Sequence, residues 1–308
     1  MIDSGPRHLR ERDLVALVAP AGPVPPERAR AATEVLTGWG LRVRMGQYAM
    51  GRHTYLSGTD DERLADLNAA LSDDEVRGVL CLRGGYGAQR IVDRLDLAAV
   101  RADPKLVLGF SDITALHLAL WIGVGLPTVH GPTATQFDRG PGSLTVLAAR
   151  RALMTADPVT VTADPTEDTW PVRVAGRAEG LLLGGNLTLL ATSAGTVHRP
   201  DLHGAILLLE EVGEEPYRID RSLVQLARAG WLDGLAGVAD GQFTDCGTAE
   251  TWQPAVREVL TERLGRLGVP VLGGLPIGHG AQQIAVGLGV PAVLDVAAGT
   301  LTVAPVGR

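Results

Sequence analysis

Leu106-Val107-Leu108-Gly109-Phe110-Ser111-Asp112-Ile113-Thr114 decides the architecture. A short run of branched apolar residues ends at a glycine, and an apolar helical pattern over residues 112–124 begins at once. A buried strand that turns sharply into a helix is the repeating unit of an open α/β sheet. Ser111 occupies the turn. A hydroxyl there stands above the carboxyl edge of the sheet, and the N–H of Asp112 points where an oxyanion would form. Read alone, Ser111 serves better as a helix N-cap than as a nucleophile. The esterase pattern GxSxG is not met, because Ile113 stands where its second glycine belongs.

The same rhythm extends outward. Strand patterns cover residues 14–19, 41–44, 76–82, 106–110 and 127–130, and helical ones 25–39, 59–71, 88–95, 112–124 and 143–154. Thr59 or Asp60 is placed to cap the second helix. This alternation predicts a doubly wound parallel sheet with helices on both faces. Over residues 155–171 Thr, Asp and Pro dominate and the apolar period is lost. The expected division is a nucleophile-bearing α/β domain at 1–155, a linker at 156–171 and a smaller α/β domain at 172–308. In that second domain Gly184-Gly185-Asn186 opens a helix running to residue 194. Strands are expected at 205–211, 235–239 and 269–277, helices at 217–231 and 251–267, and β-structure over 284–303.

Composition narrows the function classes. The chain has 308 residues, 45% hydrophobic and 20% charged, enough for one large core or two smaller ones. The formal charge is −7 and Lys and Arg form no run, so a nucleic-acid footprint is not expected. Cys81 and Cys246 make no CxxC pair or disulfide framework; they read as buried small hydrophobes in a reducing compartment. The apolar stretch 14–19 is too short to span a bilayer, and acidic Glu11 and Asp13 abut it. The expectation is a cytoplasmic protein with no membrane partner.

Three further segments carry chemistry. Glu210 and Glu211 close the apolar strand, and alternation sends them to opposite faces. A carboxylate there can orient an imidazole, but spacing does not choose between the two, and Glu214 and Glu215 nearby suit a solvated loop equally. His279 lies between Gly278 and Gly280, which let the backbone approach a substrate. By itself it reads as an ordinary loop histidine. The seven histidines form no i,i+4 pair and no HExxH, so no metal is expected. Arg83-Gly84-Gly85-Tyr86-Gly87 follows a buried strand. No GK[ST] follows it, and Gln89-Arg90 spoil a GxGxxG pattern. It reads as a cradle for an oxyanion or carboxylate, with a plain tight turn about equally good.

Taken together, these motifs resemble the L,D-carboxypeptidase family of serine peptidases, which includes muramoyl-tetrapeptide carboxypeptidases and microcin C immunity peptidases. The likeness starts at Val18-Ala19-Pro20-Ala21-Gly22, continues through Ser57-Gly58-Thr59-Asp60-Asp61-Glu62-Arg63 and Arg83-Gly84-Gly85-Tyr86-Gly87, and covers Gly109-Phe110-Ser111-Asp112-Ile113-Thr114 and Gly184-Gly185-Asn186-Leu187. It ends with Gly213-Glu214-Glu215-Pro216-Tyr217-Arg218-Ile219-Asp220-Arg221 and Gly274-Leu275-Pro276-Ile277-Gly278-His279-Gly280. The resemblance implies an N-terminal flavodoxin-like domain followed by a smaller α/β domain. It implies a triad of Ser111, Glu210 and His279, with Glu211 standing where the family usually has Asp. It further implies oxyanion donors at the N–H groups of Asp112 and Gly85. Arg83, Gly84 and Tyr86 are expected to bind the substrate's carboxylate end.

The implied reaction removes terminal D-alanine from a small murein tetrapeptide, at the amide after an L-centre of meso-diaminopimelate or lysine, in cell-wall recycling. No cofactor is needed, and a homodimer is expected because family members are often dimers. Two other readings stand beside it. One is a peptidyl- or aminoacyl-nucleotide amidase of the microcin immunity type, against which Pro216-Tyr217-Arg218 follows Glu210 with little insertion. The other is a non-catalytic ligand-binding protein, against which the three triad residues argue.

Overall fold

A computed structural model describes residues 5–247 and 254–308. The chain divides into two compact units. The first runs to Asp157 and takes in residues 285–287 and 305–308; the second comprises residues 158–284 and 288–304.

The first unit is a doubly wound sheet. Its strands are β1 (Leu14–Val18), β2 (Arg42–Met45), β3 (Val76–Cys81), β4 (Leu106–Gly109) and β5 (Thr128–His130). Its helices are α1 (Pro26–Gly38), α2 (Asp60–Ser72), α3 (Leu97–Ala102), α4 (Thr114–Val124) and α5 (Leu144–Met154). Every residue of β1 and β4 is buried, as expected of parallel strands covered on both faces. Edge strand β2, Arg42-Val43-Arg44-Met45, instead alternates between exposed and half-buried positions. Strand order β2-β1-β3-β4-β5 is that of a flavodoxin-like sheet. The order reverses between β1 and β3, so the segments leaving these strands diverge above the carboxyl edge. That opening is where such folds take ligands. A capping box starts α2, with Glu62 N–H donating to Thr59 Oγ1 and Thr59 N–H to Glu62 Oε2.

The second unit is smaller and built on a mixed sheet. Its strands β6 (Val159–Thr162), β7 (Arg173–Val174), β8 (Arg177–Asn186), β9 (Ile206–Val212), β10 (Gly237–Thr244), β11 (Val271–Leu272), β13 (Val290–Asp295) and β14 (Thr300–Val303) lie in the order β6-β14-β13-β8-β9-β10-β11-β7. β8, β9, β10 and β11 are mutually parallel, and the flanking strands pair antiparallel. Helices α6 (Leu187–Ser193), α7 (Pro216–Arg228) and α8 (Val256–Gly265) connect the parallel strands. Strand β12 (Val286–Leu288) instead extends the first sheet beside β5. Among the described residues no helix is long and apolar enough to cross a membrane.

Several local expectations are corrected. Residues 156–171 are no bare linker: β6 lies in the second sheet, and Thr169 Oγ1 donates to Gly241 O at 2.8 Å. Residues 285–287 and 305–308, expected in the second domain, belong to the first unit. The helix expected at 88–95 is two short 3-10 turns, Ala88–Arg90 and Val92–Arg94. Leu95 turns extended because Asp96 caps α3 by accepting from Ala99 N–H. Gly184 and Gly185 do not open a helix. They lie in β8, where a Cβ at Gly184 would run into the backbone of Leu208, and Asn186 is the cap. The strand expected over 269–277 shrinks to β11, bounded by Pro270 and the positive-φ Gly274. The helix expected at 251–267 is α8; its first residues, 251–253, lie outside the described residues.

Candidate active site

In the first unit Ser111 lies two residues past the end of β4 and has φ +64°, a left-handed conformation that side-chain-bearing residues avoid. It is not the N-cap of the turn it begins: that position is Phe110, with no side-chain cap bond. A strained residue held between a buried strand and a buried helix is how a nucleophile is presented on a sharp elbow. Behind it His117 on α4 lies with Nε2 2.9 Å from Gly109 O, and burial lowers its pKa to about 4. The ring is therefore neutral, with Nε2 carrying the proton it donates.

The glycine-rich segment lies against this elbow. A Cβ at Gly84 would come within 3.0 Å of Ser111 Cβ and 3.2 Å of its Oγ, so only glycine lets the chain pass this close. Gly85 and Gly87 have φ of +109° and +127°. Asp112 is buried, and its Oδ2 accepts from Ala88 N–H at 2.8 Å. Burial pushes the Asp112 carboxyl above the usual range, while the N–H groups of Ala88 and Gly87 and the charge of Arg63 pull it back. Arg83 is exposed, and one of its nitrogens donates to Pro23 O at 2.8 Å. Tyr86 is half exposed, with its ring 5.8 Å from that of Tyr55. Ser111, Asp112 and Gly84 thus come together, with Gly85 next in the chain.

In the second unit Glu210 and His279 meet. Glu210 lies near the end of the buried run of β9 with no exposure, and its Oε2 lies 2.6 Å from His279 Nδ1. With Nδ1 protonated, the ring donates to the carboxylate and leaves Nε2 as the basic atom. A Cβ at Gly278 (φ +139°) would fall 3.1 Å from Glu210 Oε2, which is why glycine precedes the histidine. Glu211 faces the other way, as alternation requires. It accepts from Asn186 Nδ2 at 2.7 Å, Thr188 N–H at 2.8 Å and Val212 N–H at 2.9 Å. Burial raises its pKa despite these bonds. Glu211 therefore anchors the start of α6, and only Glu210 reaches the imidazole.

Sequence reasoning missed Gln242. Its Oε1 accepts from Gly280 N–H at 2.8 Å, and its Nε2 donates to Glu167 Oε1 at 2.6 Å and Gln282 O at 3.1 Å. It braces the loop that carries His279. The available signal was a glutamine inside a buried strand whose other polar residues are Asp240 and Thr244. Among the described residues no group of three or more His, Cys, Asp or Glu could hold a metal ion.

Comparison with known proteins adds a family. Residues 15–131 match the model of the LD-carboxypeptidase N-terminal domain, and residues 179–294 that of the LD-carboxypeptidase C-terminal domain. A Streptomyces coelicolor protein provisionally named a carboxypeptidase is 47% identical over 96% of this chain and 95% of its own. The murein tetrapeptide carboxypeptidase of Pseudomonas aeruginosa is 37% identical over 91% of this chain and 92% of its own. Among solved structures, the muramoyltetrapeptide carboxypeptidase of Oxalobacter formigenes superposes with TM-score 0.84 at 30% identity, covering 96% of this chain and all of that one, 100%. An MccF-like protein of Bacillus anthracis superposes with TM-score 0.87 at 25% identity, covering 97% and 99%.

Proposed function

The chain belongs to the LD-carboxypeptidase family, a serine-type hydrolase family, and from that premise we propose that it removes the terminal D-alanine of murein tetrapeptides by acyl transfer through Ser111. Support for the substrate comes from the Pseudomonas relative, named a murein tetrapeptide carboxypeptidase. The observation that carries the chemistry is the Glu210–His279 pair, an imidazole fixed by a fully buried carboxylate.

In this reading Ser111 Oγ attacks the carbonyl carbon of the diamino-acid residue while His279 Nε2 takes its proton. Glu210 holds the ring in the productive tautomer and stabilises the imidazolium. The oxyanion is met by the N–H groups of Asp112 and Gly85. His279 returns the proton to the departing amine of D-alanine. Water, deprotonated by the same ring, then hydrolyses the acyl ester and frees Ser111. Arg83, Gly84 and Tyr86 receive the carboxylate end of the peptide. The product tripeptide suits recycling of cell-wall fragments in the cytoplasm.

The test is mass spectrometry of murein tetrapeptide, bearing either diaminopimelate or lysine, incubated with wild type and Ser111→Ala. Loss of one alanine with wild type alone is expected. An aminoacyl-nucleotide substrate run in parallel covers the activity suggested by the MccF-like fold. Its cleavage, with the tetrapeptide left intact, would move the assignment to that class.

A further inference from the structure

The segment Ser57-Gly58-Thr59-Asp60-Asp61-Glu62-Arg63 has no part in the triad, yet it ends in a cation buried in the first unit. Arg63 lies on α2 with its side chain 1% exposed. An arginine so buried needs partners for its charge and its donors; both Nη atoms have them and Nε has none among the described residues. Nη1 donates to two backbone carbonyls, Pro20 O and Gly87 O, the latter at 2.9 Å. Nη2 pairs with Asp60. Asp60 is held in turn by Arg90, with Nη2 to Oδ2 at 2.8 Å and Nε to Oδ1 at 2.9 Å.

The two carbonyls are significant because of where they lie. Pro20 follows β1 and Gly87 follows β3, the strands between which the order of the sheet reverses. Arg63 thus ties together the two diverging segments that frame the ligand-binding edge. The tie leads straight to the nucleophile. While Gly87 O accepts from Arg63, the N–H groups of Gly87 and Ala88 turn onto the Asp112 carboxyl. Asp112 is the residue after Ser111. At the other end of the loop Gly84 O accepts from Gly22 N–H at 3.0 Å, and Gly84 lies against Ser111. At Gly87 a Cβ would approach Arg63 Nη1 to 2.9 Å, so glycine and arginine are fitted to each other.

We propose that Arg63 is a positioning residue for the acyl-transfer centre, clamping the glycine-rich 84–88 loop to the 20–22 turn so that its amides and the Asp112 backbone keep their register against Ser111. It acts through the loop and touches no substrate. The planar fork is needed: a lysine ammonium is a compact point donor and cannot span two carbonyls and a carboxylate in this arrangement. The inference rests on Ser111 being the nucleophile.

Arg63→Met and Arg63→Lys are tested against Arg94→Ala. The Arg94 side chain, from the 3-10 turn Val92–Arg94, pairs with the exposed Asp61 of α2 at 2.7 Å. With folding checked by circular dichroism, Arg63→Met is expected to lose about 10²-fold in kcat on tetrapeptide, with KM within about twofold, the pattern of misplaced reacting groups. Arg63→Lys should fold and remain at least about 10-fold down. Arg94→Ala should match wild type. A fluorophosphonate supplies a second reading that needs no peptide: Ser111 Oγ gives its proton to His279 Nε2 and bonds to phosphorus, fluoride leaves, and the rate depends on the same oxyanion donors. It should slow in parallel with kcat. Wild-type kcat and labelling rates in a folded Arg63 variant would overturn the proposal, as would a loss confined to KM. If Arg63→Met does not fold, Arg63→Lys decides; if neither folds, Arg63 is a structural staple and the proposal falls. A wild-type enzyme that neither turns over peptide nor is labelled removes the reading of Ser111 itself, and this inference with it.

Discussion

The Nδ1 atom of His279 lies 2.6 Å from Oε2 of Glu210, while Glu211, the next residue, faces the opposite side of the strand and takes three N–H donors. Two adjacent identical side chains therefore have separable tasks. Glu210→Gln keeps the size but lets the amide donate to Nδ1, which puts the ring proton on Nε2 and removes the base. Its kcat should fall about 10³–10⁴-fold, with KM and the unfolding temperature little changed. Steady-state kinetics on tetrapeptide measures this. A Glu210→Gln enzyme within about 10-fold of wild type would detach Glu210 from catalysis.

Glu211→Ala should do the reverse. It strips the acceptor from Thr188 N–H and Asn186 Nδ2 at the start of α6, leaving buried donors unmet. Unfolding free energy should drop by about 1–3 kcal/mol in urea titration. Turnover per folded molecule should hold near wild type. A stable but inactive Glu211→Ala would contradict this division of roles.

Much of this was legible beforehand, and the reasons differ by element. Strands β1 and β4 were readable because burial on both faces forces continuous apolar runs. The helix α2 was readable through its candidate caps, Thr59 or Asp60, both local signals, and the structure gives the cap to Thr59. The opposed faces of Glu210 and Glu211 follow from strand geometry alone. Other parts depend on contacts distant in sequence. Strand β8 carries Gly180, Gly184 and Gly185, residues that weaken a strand in isolation; at Gly180 and Gly184 neighbouring backbone comes too close for any Cβ, and Gly185 has φ +139°. Arg63 sits among Asp60, Asp61 and Glu62 and looks like one more charge on a solvated helix start. Only the fold brings Pro20 O and Gly87 O onto its guanidinium. The return of β12, Val286–Leu288, to the first sheet likewise leaves no local trace.

Gln242 yields a prediction about the loop rather than the triad. Without its side chain Gly280 N–H and Glu167 each lose one hydrogen bond, and the turn after His279 is held less firmly. Gln242→Ala should lower kcat about 10-fold and unfolding free energy by about 1 kcal/mol, the scale of a lost hydrogen bond plus a loosened catalytic group. Kinetics and urea titration on one preparation read both. Unchanged kcat would show that the glycines position His279 unaided.

His117 sets an acid limit on the first unit. Its folded pKa is lowered to about 4 by burial, from a normal 6.5. A depressed histidine is neutral in the fold, so its contribution is complete above pH 6.5. As pH falls below that value the unfolded chain binds a proton the folded chain refuses, and stability is lost progressively until about pH 4. His117→Gln keeps a donor for Gly109 O and cannot titrate. Its urea midpoint should therefore decline less steeply than wild type between pH 6.5 and 4.5, about two units apart. Parallel slopes over that range would mean His117 is not the group responsible.

Ser111 stores strain that the proposed acyl transfer would use and that stability does not need. At φ +64° a side-chain-bearing residue costs about 1–2 kcal/mol relative to its relaxed conformation, whereas glycine accepts it freely. Glycine also gives the unfolded chain more freedom, which offsets part of the gain. Ser111→Gly should therefore exceed Ser111→Ala in unfolding free energy by about 0.5–1 kcal/mol, with both devoid of activity. Ser111→Val, β-branched in the same conformation, should be the least stable of the three. Calorimetry on the three variants gives the order directly. If alanine proved more stable than glycine, the elbow would be relaxed in solution, and its strain would have no part in presenting the hydroxyl.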